Sequence, residues 1–584
     1  MAVTLTINGC TMLAMAGASL FDHAELMGIA VPTSCRKQGK CKECIVEVVE
    51  GLARLSQPAT EEGHLKGGFR LSCRTQVIAS DGEVQCHTMR RGHMRIERRA
   101  YGLSEAAGPA RLDPAVTRDR DRILIDGVEV ERSDGPIHGL AMDLGTTTIV
   151  LRLINLETGE AVADASFENP QRFAGSDIMA RIAYDTEHRG KLMARTLAGY
   201  LSHAIAEFPV DPKTIYEMVV VGNSTMRDLF FWQSVYTIGQ NPYRSITEIE
   251  MAEGKRTTTS LETTGRRCLL PIHPKARVYG VPIISGHVGA DAAACMLAVN
   301  MAHEERLVAI MDIGTNTELI VGGKLGGKLG GRPGGRLGGK LGGRPGGRLG
   351  GKLGNQRRIL AASCPAGPAF EGGAIACGMP ALDGAIEDVS LDRGGGFRLS
   401  VIGGGAPMGI CGSGLVALMS ELLRTGRMNA LGRFEDDGHR ITLDAQHGIY
   451  FLESDVNELA QAKGANVAGL HVVAANYGVE FDGLDVFYLA GGFGRHLNVE
   501  ASRRIGLIPN LPDSKIVQVG NAAIEGASMA LLSVSKRREL EELVTTVEHC
   551  RLETHPLFFD FFVEGCQFKP VADSSRESPQ QVAG

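Results

Sequence analysis

Alternation of apolar and polar positions predicts elements along this chain before any chemistry is considered. "VTLTI" (3–7) alternates with period two, and Asn8-Gly9 behind it is a hairpin-turn signal. Ser19 is placed to cap a helix through Met27, with Leu20, Ala24 and Met27 on one face. "IVEVVEG" then reads as another strand. Much further on, "GLAMDLGTTTIVLRLINLETGE" (139–160) and "VAIMDIGTNTELIVGG" (308–323) share one layout. Each is an apolar strand ending in Asp, then a Gly-Thr turn, then a second apolar strand. "MVVVGNSTMRDLF" (218–230), "GICGSGLVALMSELL" (409–423) and "VQVGNAAIEGASMALLS" (517–533) each pass from a turn into a helical period. The aromatic run "FFDFFVEGCQF" near the C-terminus is expected to form docking strands.

With 584 residues, 43% hydrophobic and 22% charged, the chain has the composition of a multidomain globular protein. A net charge of −6 is too small to argue for or against nucleic acid, and no nucleic-acid partner is expected. No run of 18 uncharged apolar residues occurs, so no membrane span is expected. "MAVTLTINGC" lacks the basic and apolar regions of a secretory signal, which predicts a cytoplasmic address. Structural disulfides are rare there, so the 13 cysteines read as core residues, reactive thiols or metal ligands.

Spacing sorts them. "TSCRKQGKCKEC" puts Cys35, Cys41 and Cys44 at C-x5-C-x2-C, and "FRLSCRTQV" adds Cys73. Three close thiolates and one distant one meet the requirement of a [2Fe–2S] cluster, whose plant-type frame is C-x4-C-x2-C…C. The longer first gap resembles adrenodoxin-like ferredoxin-fold domains. Gly39 lets the backbone approach the inorganic sulfides. Arg36, Lys37, Lys40 and Lys42 would ease electron uptake or dock an acidic partner. The alternative is zinc, which usually takes two short-spaced pairs. Cys10 and Cys86 fall outside the frame and are expected to be small buried hydrophobes.

No G-x-x-x-x-G-K-[ST] occurs, which excludes a P-loop. The two Gly-Thr hairpins instead offer amides and hydroxyls to an anion. The strand-end carboxylates, Asp143 and Asp312, can hold Mg²⁺ through water or orient an attacking water. One such turn is a weak signal. Two suggest duplicated lobes facing each other across a nucleotide, as in the actin, sugar kinase and heat-shock ATPase superfamily. Gly145, Thr146 and Thr147 form the first phosphate turn on this reading, and Gly314, Thr315 and Thr317 the second. Gly491, Gly492 and Gly494 would border adenosine. Asn223, Gly412, Ser413 and Gly414 are further candidates for nucleotide contact, with a purely structural reading equally open.

Together these stretches, with "NPQRFAGSDIMARI" (169–182), "GHVGADAAA" (286–294), "AASCPAGPAFEGGAI" (361–375), "YLAGGFG" and "IGLIP" (505–509), resemble the reductive activators of corrinoid proteins. The resemblance covers about 139–530, and the cysteine frame covers the front. It implies ATP-driven reduction of a corrinoid protein from inactive Co(II) to methyl-accepting Co(I), in a methyltransferase system. It also implies an external electron donor and a homodimer. Plant-type clusters lie near about −400 mV, and the cobalt couple lies lower. Each 100 mV uphill costs about 2.3 kcal/mol per electron, which nucleotide binding and hydrolysis can supply.

The expected architecture is therefore an α+β, β-grasp ferredoxin-like domain at 1–92, a linker at 93–136, and a two-lobed α/β actin-like ATPase. Its lobes are expected at 137–305 and 306–570, with a disordered tail at 571–584. A flexible insertion at 322–354 carries eight G-G-[KR]-[LP] tetrapeptides. Its eight cations, set against the whole-chain net charge of −6, leave the rest of the chain at −14. A neutral expansion is favoured for it over a docking arm. Arg227 and Asp228 stand where relatives are expected to carry His, so no catalytic His is assigned there. His287 reads as a loop or core residue, and Cys364, Cys377 and Cys411 lack the pairing of a second cluster. Two rival functions are a small-molecule kinase with a redox-regulatory domain and a non-catalytic redox sensor.

Overall fold

The computed structural model describes residues 3–89, 112–188, 190–324, 357–392, 394–435, 438–492 and 496–571. At the front, Val3–Ile7 pairs antiparallel with Cys10–Leu13 through the Asn8-Gly9 turn and parallel with Gly82–Thr88. Ile45–Glu50 and Phe69–Leu71 complete a five-stranded sheet, against which Leu20–Leu26 packs. Ser19 and Asp22 close a reciprocal capping box at that helix's start. This is the expected β-grasp layout. Cys86 is buried in the core, whereas Cys10 is exposed, because it opens an edge strand with one face in solvent.

The stretch expected to be a linker is partly structured. Val116–Asp119, Arg122–Ile125 and Val128–Arg132 form an antiparallel meander, turning at Asp126-Gly127 with both residues left-handed. Val116, Ile123 and Ile125 bury into the core layer shared by the two lobes. Residues 93–111 of that expected linker lie outside the described residues, as do Gly494, most of the repeat insertion and all but Val571 of the expected tail.

Two six-stranded sheets carry the lobes. The first runs in the order Ala161–Glu168, Thr148–Asn155, His138–Leu144, Ile215–Gly222, Arg277–Gly280, Leu261–Thr264. The second runs Ile516–Gly520, Val486–Ala490, Val308–Ile313, Thr317–Lys324, Arg357–Cys364, Val547–His549. The duplication is visible in the pairing. Each Asp-bearing strand forms an antiparallel hairpin on one side and a parallel pair on the other, with Ile215–Gly222 in one lobe and Val486–Ala490 in the next. Helices Ala290–Ala298 and Ala522–Leu532 pack between the lobes, so close that a Cβ on Gly526 would fall 2.0 Å from the Ala294 carbonyl oxygen.

The expected C-terminal strands are instead a helix, Phe558–Gly565. Positions 558, 561, 562 and 565 turn inward while 559, 560, 563 and 564 are exposed, a period near 3.6 rather than 2. This helix lies on Glu453–Tyr477, where Gly565 meets Gly464. Among the described residues, no helix is long and apolar enough to cross a membrane.

Candidate active site

Two sites emerge, one in each part of the molecule. In the first, the loop carrying Cys35, Cys41 and Cys44 is coiled by left-handed residues at Arg36, Lys37, Gly39 and Lys42. That winding turns backbone amides inward. Those of Gln38, Lys40 and Cys41 point at the Cys35 sulfur, those of Ser34 and Glu43 at Cys41, and that of Gly39 at Cys73. Burial alone would raise the Cys35 thiol, but these amides hold it down at about 7. Cys44 and Cys73 place their sulfurs 3.2 Å apart. Cys35 and Cys41 form the other hydrogen-bonded pair. Two thiol pairs ringed by amides suit two bridged irons, each taking two thiolates, so the residues present fit a [2Fe–2S] cluster.

Of the four expected cations, Lys37 bonds Asp22 at 2.7 Å and Glu25 at 2.6 Å, and Lys42 donates to the Glu61 carbonyl. Arg36 and Lys40 are exposed.

The second site is a cavity of about 160 Å³ between the lobes, walled by both Gly-Thr turns. Gly145 and Gly314, Thr146, Thr147 and Thr315 all line it. The first turn is braced by Asn223, which caps the helix Ser224–Phe230 and donates to Thr146 Oγ1 at 3.0 Å. Gly491, at φ +110°, passes under the second turn, where a Cβ would lie 2.3 Å from the Ile313 carbonyl oxygen. Gly492 borders the cavity with open space above it, and Gly412 reaches it at the start of Gly412–Arg424.

Three expected contacts do not line this cavity. Thr317 begins the strand opposite Cys364, fully buried in the ladder. Ser413 turns toward the Cys411 sulfur at 3.4 Å, and Gly414 is pressed against the Ile386 carbonyl. Arg227 and Asp228 are also removed from chemistry, as a fully buried ion pair at 2.6 Å.

The cavity holds more acid than the two strand-end aspartates. Asp291 enters from the first turn of Ala290–Ala298, and Glu318 from the rung directly opposite Asp312. Burial, and then the Asp312 charge, pushes Asp143 up to about 7, although Asn521 donates to it at 2.9 Å. Asp291 is pushed up to about 7 by burial and by Asp143 and Asp312, and Asp312 to about 6 by burial. Glu318 is raised well above the carboxylate range by burial and by Asp291 and Asp312. Buried carboxylates held this close call for a countercation, so the donor set fits Mg²⁺. Glu371 stands apart from them, accepting Thr147 at 2.7 Å and also Thr315.

Family models match three consecutive parts of the chain. These are a 2Fe-2S iron-sulfur cluster binding domain at residues 3–77, the RACo middle region at 138–304, and the C-terminal domain of RACo, the ASKHA domain, at 352–578. A protein named corrinoid activation enzyme RamQ, from Eubacterium limosum, is 26% identical over 94% of this chain and 95% of its own length. A [Co(II) methylated amine-specific corrinoid protein] reductase from Methanosarcina barkeri is 24% identical over 73% of this chain and 76% of its own. A solved reductive activator for corrinoid, iron-sulfur protein has the same fold, with a TM-score of 0.67 at 24% identity. It matches over 97% of this chain and 98% of that one.

Proposed function

We propose that this chain, which belongs to the RACo family by its middle region and its C-terminal ASKHA domain, spends ATP to reduce a corrinoid protein from inactive Co(II) to methyl-accepting Co(I). The observation that carries this reading is the joining of a four-cysteine cage and a two-turn phosphate cleft in one chain. Single-electron chemistry is what a [2Fe–2S] cluster supplies when bound there. Nucleotide in the cleft supplies the driving force for a step that is uphill in potential.

In this assignment Cys35, Cys41, Cys44 and Cys73 hold the cluster. Asp143 and Asp312 hold Mg²⁺ and the attacking water, with Asp291 beside them. Thr146, Thr147 and Thr315, with the Gly145 and Gly314 amides, hold phosphates. Gly491 and Gly492 admit the adenosine, and Asn223 fixes the first turn. The partner is a corrinoid protein of a methyltransferase system, and the electron comes from an external donor. The working unit is a homodimer in the cytoplasm.

The test is to mix holoprotein, reductant and a Co(II) corrinoid protein with and without Mg-ATP and to follow Co(I) by its visible absorption. Higher Co(I) yield with ATP is expected, and equal yield defeats the coupling. A small-molecule kinase would instead turn over ATP indifferently to corrinoid, and a redox sensor would not turn it over at all.

A further inference from the structure

We propose that the segment from Asn169 to Glu187 is a relay between the nucleotide cleft and the iron–sulfur domain, with Arg172 and Tyr184 as its positioning residues. Its two ends grip different parts of the molecule. At one end, three successive carbonyls of the first phosphate turn are held from this segment. Asn169 donates Nδ2 to the Gly145 carbonyl at 2.8 Å and its backbone N–H to the Thr147 carbonyl at 2.6 Å. Arg181 donates to the Thr146 carbonyl between them at 2.7 Å. The Arg181 guanidinium is fully buried and donates to that carbonyl, to the Gly175 carbonyl and to the Met226 sulfur. A cation buried without a carboxylate bonded to it responds strongly to a phosphate arriving at the same turn.

At the other end the segment grips the cysteine domain. The Tyr184 hydroxyl donates to the His64 carbonyl at 3.1 Å, and Phe173 stands edge-on to the His64 and Tyr184 rings. Arg172 reaches Glu168 at 2.9 Å and Glu47 at 3.4 Å, the latter three residues beyond Cys44. The next helix, Leu192–Ala206, presses Gly199 on Glu43, which lies between Cys41 and Cys44. A Cβ at Gly199 would sit 2.8 Å from the Glu43 side chain.

Arg181 and Tyr184 are three residues apart in one helix, Ile178–Glu187, and so share a face. No flexible link separates the two grips, and one hydrophobic core runs from Val3 through the cysteine domain into the first lobe. Close-packed interfaces of this kind switch between arrangements rather than absorb a shift. A change of the first phosphate turn on binding nucleotide is therefore passed to the loop around the cluster.

The relay needs only the cluster and the nucleotide, so its test leaves out the corrinoid protein and fails separately from the reading above. Holoprotein would be reduced with dithionite, with and without Mg²⁺ and a non-hydrolysable ATP analogue. The cluster's EPR spectrum and amide hydrogen exchange over residues 34–47 would then be recorded. Wild type is expected to show a nucleotide-dependent change in both. Tyr184→Phe and Glu47→Gln are each expected to shrink the exchange response by about fivefold, the equivalent of one hydrogen bond of about 1 kcal/mol. Iron content and analogue affinity should stay at wild-type levels in both variants. No nucleotide response in wild type, or a full response in whichever variants retain the cluster, overturns the relay.

Discussion

Thr147 and Thr315, 168 residues apart, hold their hydroxyl oxygens 2.8 Å from each other, and the Glu371 carboxylate accepts from both. The two lobes thus meet through the hydroxyls of their Gly-Thr turns, with a buried carboxylate where, on the proposed assignment, a polyphosphate would seek the same donors. Thr147→Ala and Thr315→Ala are each expected to weaken ATP binding by about tenfold, since a hydrogen bond to a charged group is worth about 1.5–3 kcal/mol. Glu371→Gln should bind ATP more tightly, because it removes a negative charge from the phosphate path. Titration with a fluorescent nucleotide would check all three, and unchanged affinities would refute the placement.

Besides burial, the Asp312 charge raises Asp143, and Asp143 and Asp312 together raise Asp291, so the cleft without a cation stores repulsion centred on Asp291. Asp291→Asn is expected to stabilise the Mg²⁺-free protein by about 1 kcal/mol, in the manner of other functional-site charge removals. The same variant should lose much of the Tm gain that Mg²⁺ gives wild type. Thermal unfolding with EDTA and with Mg²⁺ would show whether the sign is right.

Cys73→Ser should remove the cluster's visible absorption and labile sulfide, because Cys73 is half of the 3.2 Å sulfur pair with Cys44. Cys86→Ser, at a thiol that burial alone pushes up to about 12, should keep both. Corrinoid reduction is expected to vanish only in the first variant, while both still bind ATP.

His549 lies in a second, polar cavity with Arg244, Glu248, His287, Arg551 and Glu553. Burial, and then the neighbouring His287, pushes His549 down to about 4. A histidine depressed in the fold contributes stability that is present above its unfolded value near 6.5 and is lost as pH falls toward 4. His549→Gln should therefore flatten the loss of Tm between pH 6.5 and 4 relative to wild type. Parallel curves for the two proteins would contradict this.

Arg227→Met is expected to cost about 3–5 kcal/mol, the usual consequence of stranding a buried partner. Here the stranded group would be Asp228. Arg227 also donates to the Thr259 and Val281 carbonyls, and neither it nor Asp228 lines the cavity between the lobes. Folding yield and Tm should fall, while ATP affinity of the folded fraction holds.

The parts of this molecule legible in its sequence are those whose chemistry is local. The Cys35, Cys41 and Cys44 spacing, the Asp-x-Gly-Thr turns and the Asn223 cap each sit within a dozen residues, and Cys73 is the next cysteine along the chain from that loop. Asp291 and Glu371 lie inside stretches that carry the resemblance, "GHVGADAAA" and "AASCPAGPAFEGGAI". Nothing local in a helix start or a short turn marks either carboxylate as a wall of the cleft, which only tertiary placement makes it. Glu318 did leave a signal. In a hairpin closed by a short turn, the sixth residue after Asp312 falls opposite it and on the same face. Thr317 was drawn in by its nearness to the turn, but the ladder begins there and points its side chain into the core. The meander at 116–132 was hidden by charged composition, although Asp126-Gly127 is a strong hairpin dipeptide. Aromatic content disguised the helix Phe558–Gly565, whose three-and-four spacing is plain once the faces are counted.

Lys324 and Arg357 are direct partners on adjacent strands, so the ladder enters and leaves the glycine–cation repeats at a single rung. Loop-closure entropy grows only with the logarithm of length, and a doubling costs about 0.6 kcal/mol. Residues added beyond that rung therefore cost the lobe little stability. The same rung is a natural port for splicing in a reporter domain without disturbing the lobe beneath it.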